Sequence, residues 1–234
     1  MDIYETGPMI FFTVGNFIQD FGTLYQIYHS EYIKRNTECV SLDTQVLFFI
    51  STITRIFWMN DSLISKYTIT YIELLFSFII HLYFVVYVIL SRPEPSTKQL
   101  FDLGQRFWEK WYLIAIITFV LGFLFHPKSY YHYRNYWKDI QMCVAFNIYT
   151  DAGSLIPQLP VLWREGDVGS VSRLYITFLF GARCFRLLFW MTWYWGSRYI
   201  YLMCVDILYL VCVGAFVFSF CKNVNKMLLP MKNQ

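Results

Sequence analysis

Charge is the scarcest commodity in this 234-residue chain, with Asp, Glu, Lys and Arg together making up 15% of it, against roughly 25% in an ordinary soluble domain. A fully solvated globular surface is therefore excluded, and a net charge of only +3 gives no basic face for nucleic acid. There is no CxxC pair, no Cys/His cluster at metal spacing, no glycine-rich phosphate loop, no GxSxG and no HExxH. No catalytic residue, metal or cofactor is indicated, and the expectation is that the chain is not an enzyme. Of the six cysteines, Cys143, Cys184, Cys204, Cys212 and Cys221 fall in apolar runs and Cys39 in a loop, so disulfides are not expected. The first residues lack the basic n-region of a cleavable signal, so the first apolar run is expected to stay as a helix.

What the chain has in abundance is apolar and aromatic residues, 57% and 21% of the whole. Crossing the hydrocarbon of a bilayer takes about 20 apolar residues. Seven runs qualify, at 8–28, 43–61, 67–90, 111–126, 138–162, 172–194 and 199–221. The expected class is an all-α membrane protein of seven transmembrane helices, with lipid as its main surroundings. Eleven basic residues fall on one side (Lys34, Arg35, Arg92, Lys98, Arg106, Lys110, Arg164, Arg173, Lys222, Lys226, Lys232) and five on the other (Lys66, Lys128, Arg134, Lys138, Arg198). The excess marks the cytosolic side, which puts the C-terminus in the cytosol and the N-terminus in the lumen. Asn60-Asp61-Ser62 has the form of a glycosylation acceptor on the lumenal side, but abuts a span.

Two of the apolar runs echo each other. DFGTLYQIY from Asp20 and DAGSLIPQL from Asp151 share a carboxylate, a glycine two residues on, a hydroxyl, a leucine and a downstream glutamine. The second helices rhyme as well, SLDTQVLFFISTITRIFWM against SVSRLYITFLFGARCFRLLFWM. A duplicated membrane protein follows, with a polar site where its repeats meet. The spans divide as 3+1+3: a first triple-helix bundle over 1–90, a loop, linker helix and lumenal loop over 91–137, a second bundle over 138–221, and a tail over 222–234. The loop from Ser91 to Lys110, with two prolines and mixed charge, is the expected hinge.

Arg55, Arg183 and Arg186 fall inside spans, where each costs roughly 2.5 to 3.5 kcal/mol at the bilayer centre. They need partners or water. The available acids are Asp20, Glu73, Asp151 and Asp206. At about 1.5 Å per residue, Asp20, Arg55, Asp151 and Arg183 all fall near mid-membrane, two arginines and two carboxylates around one cavity. That arrangement suits an anionic ligand such as a carboxylate, which arginine holds in a fork. The structural alternative is a static salt bridge, and it is the favoured one for Arg186 and Glu73. His81 is read as a core histidine, Trp190 as a candidate cavity wall, Trp193 as part of an aromatic belt, and Pro157 as a kink.

DAGSLIPQL, the turn WREGDVGSVSRLY, the run R-x-x-R-L-L-F-W and S-x-D-T-Q-V-L-F ahead of Arg55 together resemble the KDEL receptor family, the ER lumen protein retaining receptors. These are seven-helix relatives of PQ-loop and SWEET transporters. The resemblance runs from about Thr37 to Pro230. It implies a receptor in ER and Golgi membranes that binds the C-terminal peptide of escaped ER residents in acid and returns them by retrograde vesicles. Carried over by position, Arg55 and Arg183 are the ligand arginines, Trp190 the cavity tryptophan, Asp151 the gating acid, Pro157 and Gln158 the helix kink, and Lys226 the coat-contacting lysine of the tail. This chain departs from the family pattern at Trp58, Trp193, Gln141, Val144 and Thr13, which removes much of the charge that would complement a Lys-Asp-Glu-Leu tail. Asp20 falls where the family has a pH-sensing histidine, so an Asp20–Asp151 pair sharing a proton is expected to act as the latch. Two other readings compete: a PQ-loop-type transporter of a small acid or amino acid, and a structural membrane partner with a degenerate cavity.

Overall fold

A computed structural model describes residues 3–34, 37, 40–59, 68–91, 110–126, 137–165, 171–193 and 200–228. Among the described residues the chain is helical throughout, with no strand: α1 Ile3–Tyr28, α2 Leu42–Met59, α3 Thr68–Ser91, α4 Trp111–Leu124, α5 Trp137–Gly153, α6 Gln158–Glu165, α7 Arg173–Trp193 and α8 Ile200–Leu228. A wider π-helical stretch, His29–Lys34, continues α1. The hinge loop over 92–109, the Asn60–Ser62 acceptor, Cys39 and the tail from 229 lie outside the described residues, as do the side chains of Trp193 and Lys226.

The distribution of side chains is inverted relative to a soluble protein. Ile72, Leu75, Ile79 and Leu90 of α3, Ile116, Phe119 and Phe123 of α4, and Leu208, Val211 and Phe218 of α8 are exposed. Asp20, Glu73, His81, Asp151, Arg183 and Asp206 are buried. Exposed apolar surface on this scale is what lipid, not water, accommodates. Thr68–Ser91 and Arg173–Thr192 are also long and apolar enough to span a bilayer, with mean hydropathies of 2.3 and 1.4.

Packing follows a repeated order. In the first half α3 lies against both α1 and α2; in the second, α8 lies against both α5 and α7. Between halves the first helix of each meets the second helix of the other: α1 packs along α7, and α2 along α5. Helix α4 rests on α5 and α2, its first N–H, that of Trp111, held by Asp43 Oδ1 at 3.0 Å. Glycines allow the close approaches. A Cβ on Gly22 would stand 2.6 Å from Phe178 Cβ, and one on Gly122 3.0 Å from the Phe146 backbone.

Two apolar clusters sandwich a polar layer. One holds Phe48, Leu155, Leu179, Tyr209 and Phe216, the other Phe12, Trp58, Met59, Leu74, Phe189 and Trp190. On α2 and α7 the buried arginines fall between residues of one cluster and residues of the other.

Two expectations change. The run 138–162 is one expected span but two helices, because the turn Ser154–Pro157 interrupts it. Pro157 therefore stands in the turn directly ahead of α6 rather than kinking one continuous helix: its ring cannot donate to the ladder, and the bonds Ser154 N–H to Asp151 O and Ile156 N–H to Gly153 O close the chain into tight turns instead. The last helix also outruns its expected end at 221, its backbone passing through Lys222 and Lys226 to Leu228.

Candidate functional site

The repeated glutamines make the first functional geometry. Gln158, at the start of α6, accepts the Ser41 N–H ahead of α2 at 2.9 Å. Gln26, near the end of α1, accepts the Ser172 N–H ahead of α7 at 2.8 Å. Each half thus caps the second helix of the other, satisfying an N–H that a helix start leaves open. This is the physical reason for the glutamine in the sequence repeat, and it locks α2 and α7 in matching register.

That register identifies the matching arginines. Ser41 to Arg55 and Ser172 to Arg186 are the same distance along the chain. Arg186, not Arg183, is therefore the mate of Arg55, and those two line a polar cavity of about 300 Å³, open space included, together with Asn16, Asp20, Ser51, Ser77 and Asp151. The lining brings together Asp20, Asp151 and Arg55 of the expected four, with Arg186 where Arg183 was expected. Arg183 stands outside its lining. Its guanidinium bonds Asp151 Oδ2 at 2.8 Å and Gln19 Oε1 at 2.6 Å and lies 3.9 Å over the Tyr209 ring. Trp190 is also outside the lining; it is buried, and its indole N–H donates to Asp206.

A second repeated residue escaped the sequence comparison. Asn16 and Asn147 each precede the repeat aspartate by four positions, one helical turn. Asn147 Nδ2 donates to Ser51 O and Oγ, both at 2.7 Å, tying α5 to α2. The residue matching Ser51 in the second half is Ala182, which has no hydroxyl, and Asn16 Nδ2 has no partner. The equal Asn-to-Asp spacing was the signal that could have revealed the pair.

The charges are shared unevenly. In the second half Arg186 bonds Asp151 Oδ2 at 2.9 Å and Asp206 Oδ2 at 3.1 Å, so that two arginines and two aspartates close on each other. In the first half Arg55 Nη2 meets Glu73 Oε1 at 2.6 Å. Asp20 Oδ1 accepts Ser77 Oγ at 2.8 Å and lies 3.6 Å from His81 Nε2, with the imidazole packed against Phe48 at 5.8 Å between ring centroids.

The expected proton-sharing pair of Asp20 and Asp151 is not formed. Both line the cavity, but Asp151 Oδ2 is taken by two guanidiniums and no hydrogen bond joins the two carboxyls among the described residues. Among the described residues, three buried donors on the cavity residues are without a protein acceptor: Asn16 Nδ2, Arg55 Nε and Arg186 Nη2. Buried donors of this kind are normally satisfied; the same cavity also holds one acceptor without a donor, Asp20 Oδ2. Among the described residues no group of His, Cys, Asp and Glu is arranged to hold a metal.

Comparison with known proteins gives a consistent answer. The family model described as ER lumen protein retaining receptor matches residues 36–193, which takes in Arg55, Glu73, Asp151 and Arg186 but not Asn16, Asp20 or Asp206. An ER lumen protein-retaining receptor of Dictyostelium discoideum is 28% identical over 160 residues, 68% of this chain and 69% of the relative. The Kluyveromyces lactis receptor is 26% identical over 168 residues, 69% and 68% of the two chains. Receptor A of Arabidopsis thaliana is 25% identical over 163 residues, 68% and 67%. With more than half its length matched to a family of retention receptors, the chain belongs to the ER lumen protein retaining receptor family.

Proposed function

We propose that the protein is a KDEL-receptor-like retrieval receptor of ER and Golgi membranes, which takes the C-terminal carboxylate of soluble ER proteins into the cavity between its halves and returns them from Golgi to ER. One observation carries the reading: Asn16 Nδ2, Arg55 Nε and Arg186 Nη2, three donors on cavity residues, have no acceptor among the described residues. A carboxylate has two oxygens and about four acceptor sites, and two of these donors bring positive charge.

The 3+1+3 arrangement, with α4 as linker between two triple-helix bundles, is part of the same proposal. The matching packing order within the halves and the reciprocal glutamine caps support it. The basic-residue bias places the N-terminus in the lumen and the C-terminus, with Lys226 as a candidate coat contact, in the cytosol. In this reading Arg55 and Arg186 hold the ligand, while Arg183 and Trp190 position Asp151 and Asp206.

The test is retention in cells stripped of their own receptor. A lumenal reporter ending in a four-residue retention signal stays inside when this chain is expressed, and is secreted when the signal is buried behind added residues or when the receptor carries Arg55→Ala. Uptake of a small acid by proteoliposomes, with no retention of any reporter, would instead establish the transporter reading.

A further inference from the structure

We propose that the cavity reads the α-nitrogen of its ligand as well as the carboxylate: Asp20 Oδ2 accepts the N–H on the carbon that carries the ligand's carboxylate, while Asn16, Arg55 and Arg186 hold the carboxylate itself. The inference rests on the carboxylate-binding reading above and narrows the ligand to an α-amino acid unit, whether the last residue of a chain or a free amino acid.

Asn16 and Asp20 are one helical turn apart and so lie on the same face of α1, a donor followed by an acceptor. Both line the cavity, and each ends in an atom that is buried without a partner among the described residues, Asn16 Nδ2 and Asp20 Oδ2. The other carboxyl oxygen is engaged: Oδ1 accepts Ser77 Oγ at 2.8 Å and lies 3.6 Å from His81 Nε2. Arg55 of α2 and Arg186 of α7 add the open donors Nε and Nη2 to the same lining. Side chains one turn apart stand about 5–6 Å from each other at Cβ, so two atoms on neighbouring carbons of one small ligand reach both.

Donors alone would suit any carboxylate. A buried acceptor beside them discriminates, because a ligand that offers Asp20 no hydrogen leaves a buried carboxylate oxygen unsatisfied, the costly case for a charged group. Charge argues the same way. Arg55, Arg183 and Arg186 are buried with four carboxyls, Asp20, Glu73, Asp151 and Asp206, so a ligand bringing only negative charge adds to an existing excess of acid. One that also donates to Asp20 offsets it. The α-nitrogen is the donor nearest the carboxylate in every amino acid, and at every peptide C-terminus except proline, which has no N–H there.

The experiment compares a pool of N-acetylated tetrapeptides with free C-termini against its depsipeptide counterpart, in which an ester oxygen replaces the last amide N–H. Both pools are passed at one fixed pH over immobilised wild-type protein and read by mass spectrometry. The carboxylate is common to the two, so retention of either reports the carboxylate reading and the difference reports Asp20. The amides are retained about 10- to 100-fold more strongly than the esters, the range for a hydrogen bond to a charged group, and chains ending in proline are lost with the esters. Were Oδ2 satisfied by a trapped water, the exchange would change little: equal retention of the two pools overturns the proposal and leaves the carboxylate reading standing.

Asp20→Asn adds a second readout. Its amide accepts an N–H through one end and donates to an ester oxygen through the other, so the preference between pools shrinks; a residue that only braced α1 against Ser77 would lower both and leave their ratio intact. An unchanged ratio in the folded variant overturns the proposal. Free α-amino acids, set against the same acids without the amino group, separate the two sources of ligand. Binding of amino acids but not of their deaminated analogues, with no peptide retained, supports the role of Asp20 and overturns the receptor reading; binding of neither peptides nor amino acids overturns both.

Discussion

The two halves of the molecule spend the same ingredients differently. Each brings an asparagine, an aspartate and a cavity arginine to the polar layer, at equal spacings along the chain. In the second half Arg183 and Arg186 close with Asp151 and Asp206 into a charge-balanced group, and Asn147 is satisfied by Ser51. In the first half Arg55 faces Glu73 with Asp20 beside it, and Asn16 is left open because Ala182 replaces the matching serine. One copy is a structural clasp. The other keeps open donors, and the proposed binding of a carboxylate is assigned to it for that reason.

Breaking the clasp produces the largest effect. Asp151→Ala leaves two buried guanidiniums short of a partner, and removing one member of a buried charge group costs about 3–5 kcal/mol; thermal unfolding in detergent measures the loss. Arg55→Ala leaves one buried carboxylate, Glu73, without its guanidinium, so it lowers the unfolding midpoint by less than Asp151→Ala, which orphans two arginines; its distinguishing effect is a fall in peptide affinity of about 10- to 100-fold, the worth of a charged hydrogen bond. If the two variants lost stability equally, the division of labour between halves would collapse.

Packing at the repeat glycines gives a smaller difference. Gly22→Ala drives a Cβ to 2.6 Å from Phe178 Cβ, which is fixed to the α7 backbone, and overpacking of that sort costs about 1–3 kcal/mol. Gly153→Ala meets side-chain methyls, Ile114 Cγ2 at 2.9 Å and Thr118 Cγ2 at 3.6 Å, and the unfolding midpoint falls less. The smallest effects belong to Gln26→Ala and Gln158→Ala. Each removes one cap worth about 1 kcal/mol, and similar shifts in midpoint for the two confirm that the caps are equivalent.

The duplication was legible because its residues do local work at each copy: aspartate for an arginine, glycine for a close helix, glutamine for an open N–H. Three things were not. Arg183 and Arg186 are three residues apart and both point inward, so which one reaches the cavity depends on where α8 places Asp206, a contact no local pattern encodes. Asp20 was assigned to Asp151 by repeat symmetry, but its partners Ser77 and His81 come from α3, where polar residues recur about once per turn and His81 was read only as core. Pro157 was taken as a kink because a membrane tolerates one; the break exists so that Gln158 can reach Ser41. The exposed apolar faces and the helical class, by contrast, follow directly from composition.

The central claim is that the cavity receives a carboxylate, and its most direct test compares one pool of N-acetylated tetrapeptides carrying free C-termini with the same pool as C-terminal amides. Passed in mildly acidic buffer over immobilised wild-type protein and read by mass spectrometry, the free acids are retained and the amides wash through. Equal retention of the two, or retention of neither, contradicts it.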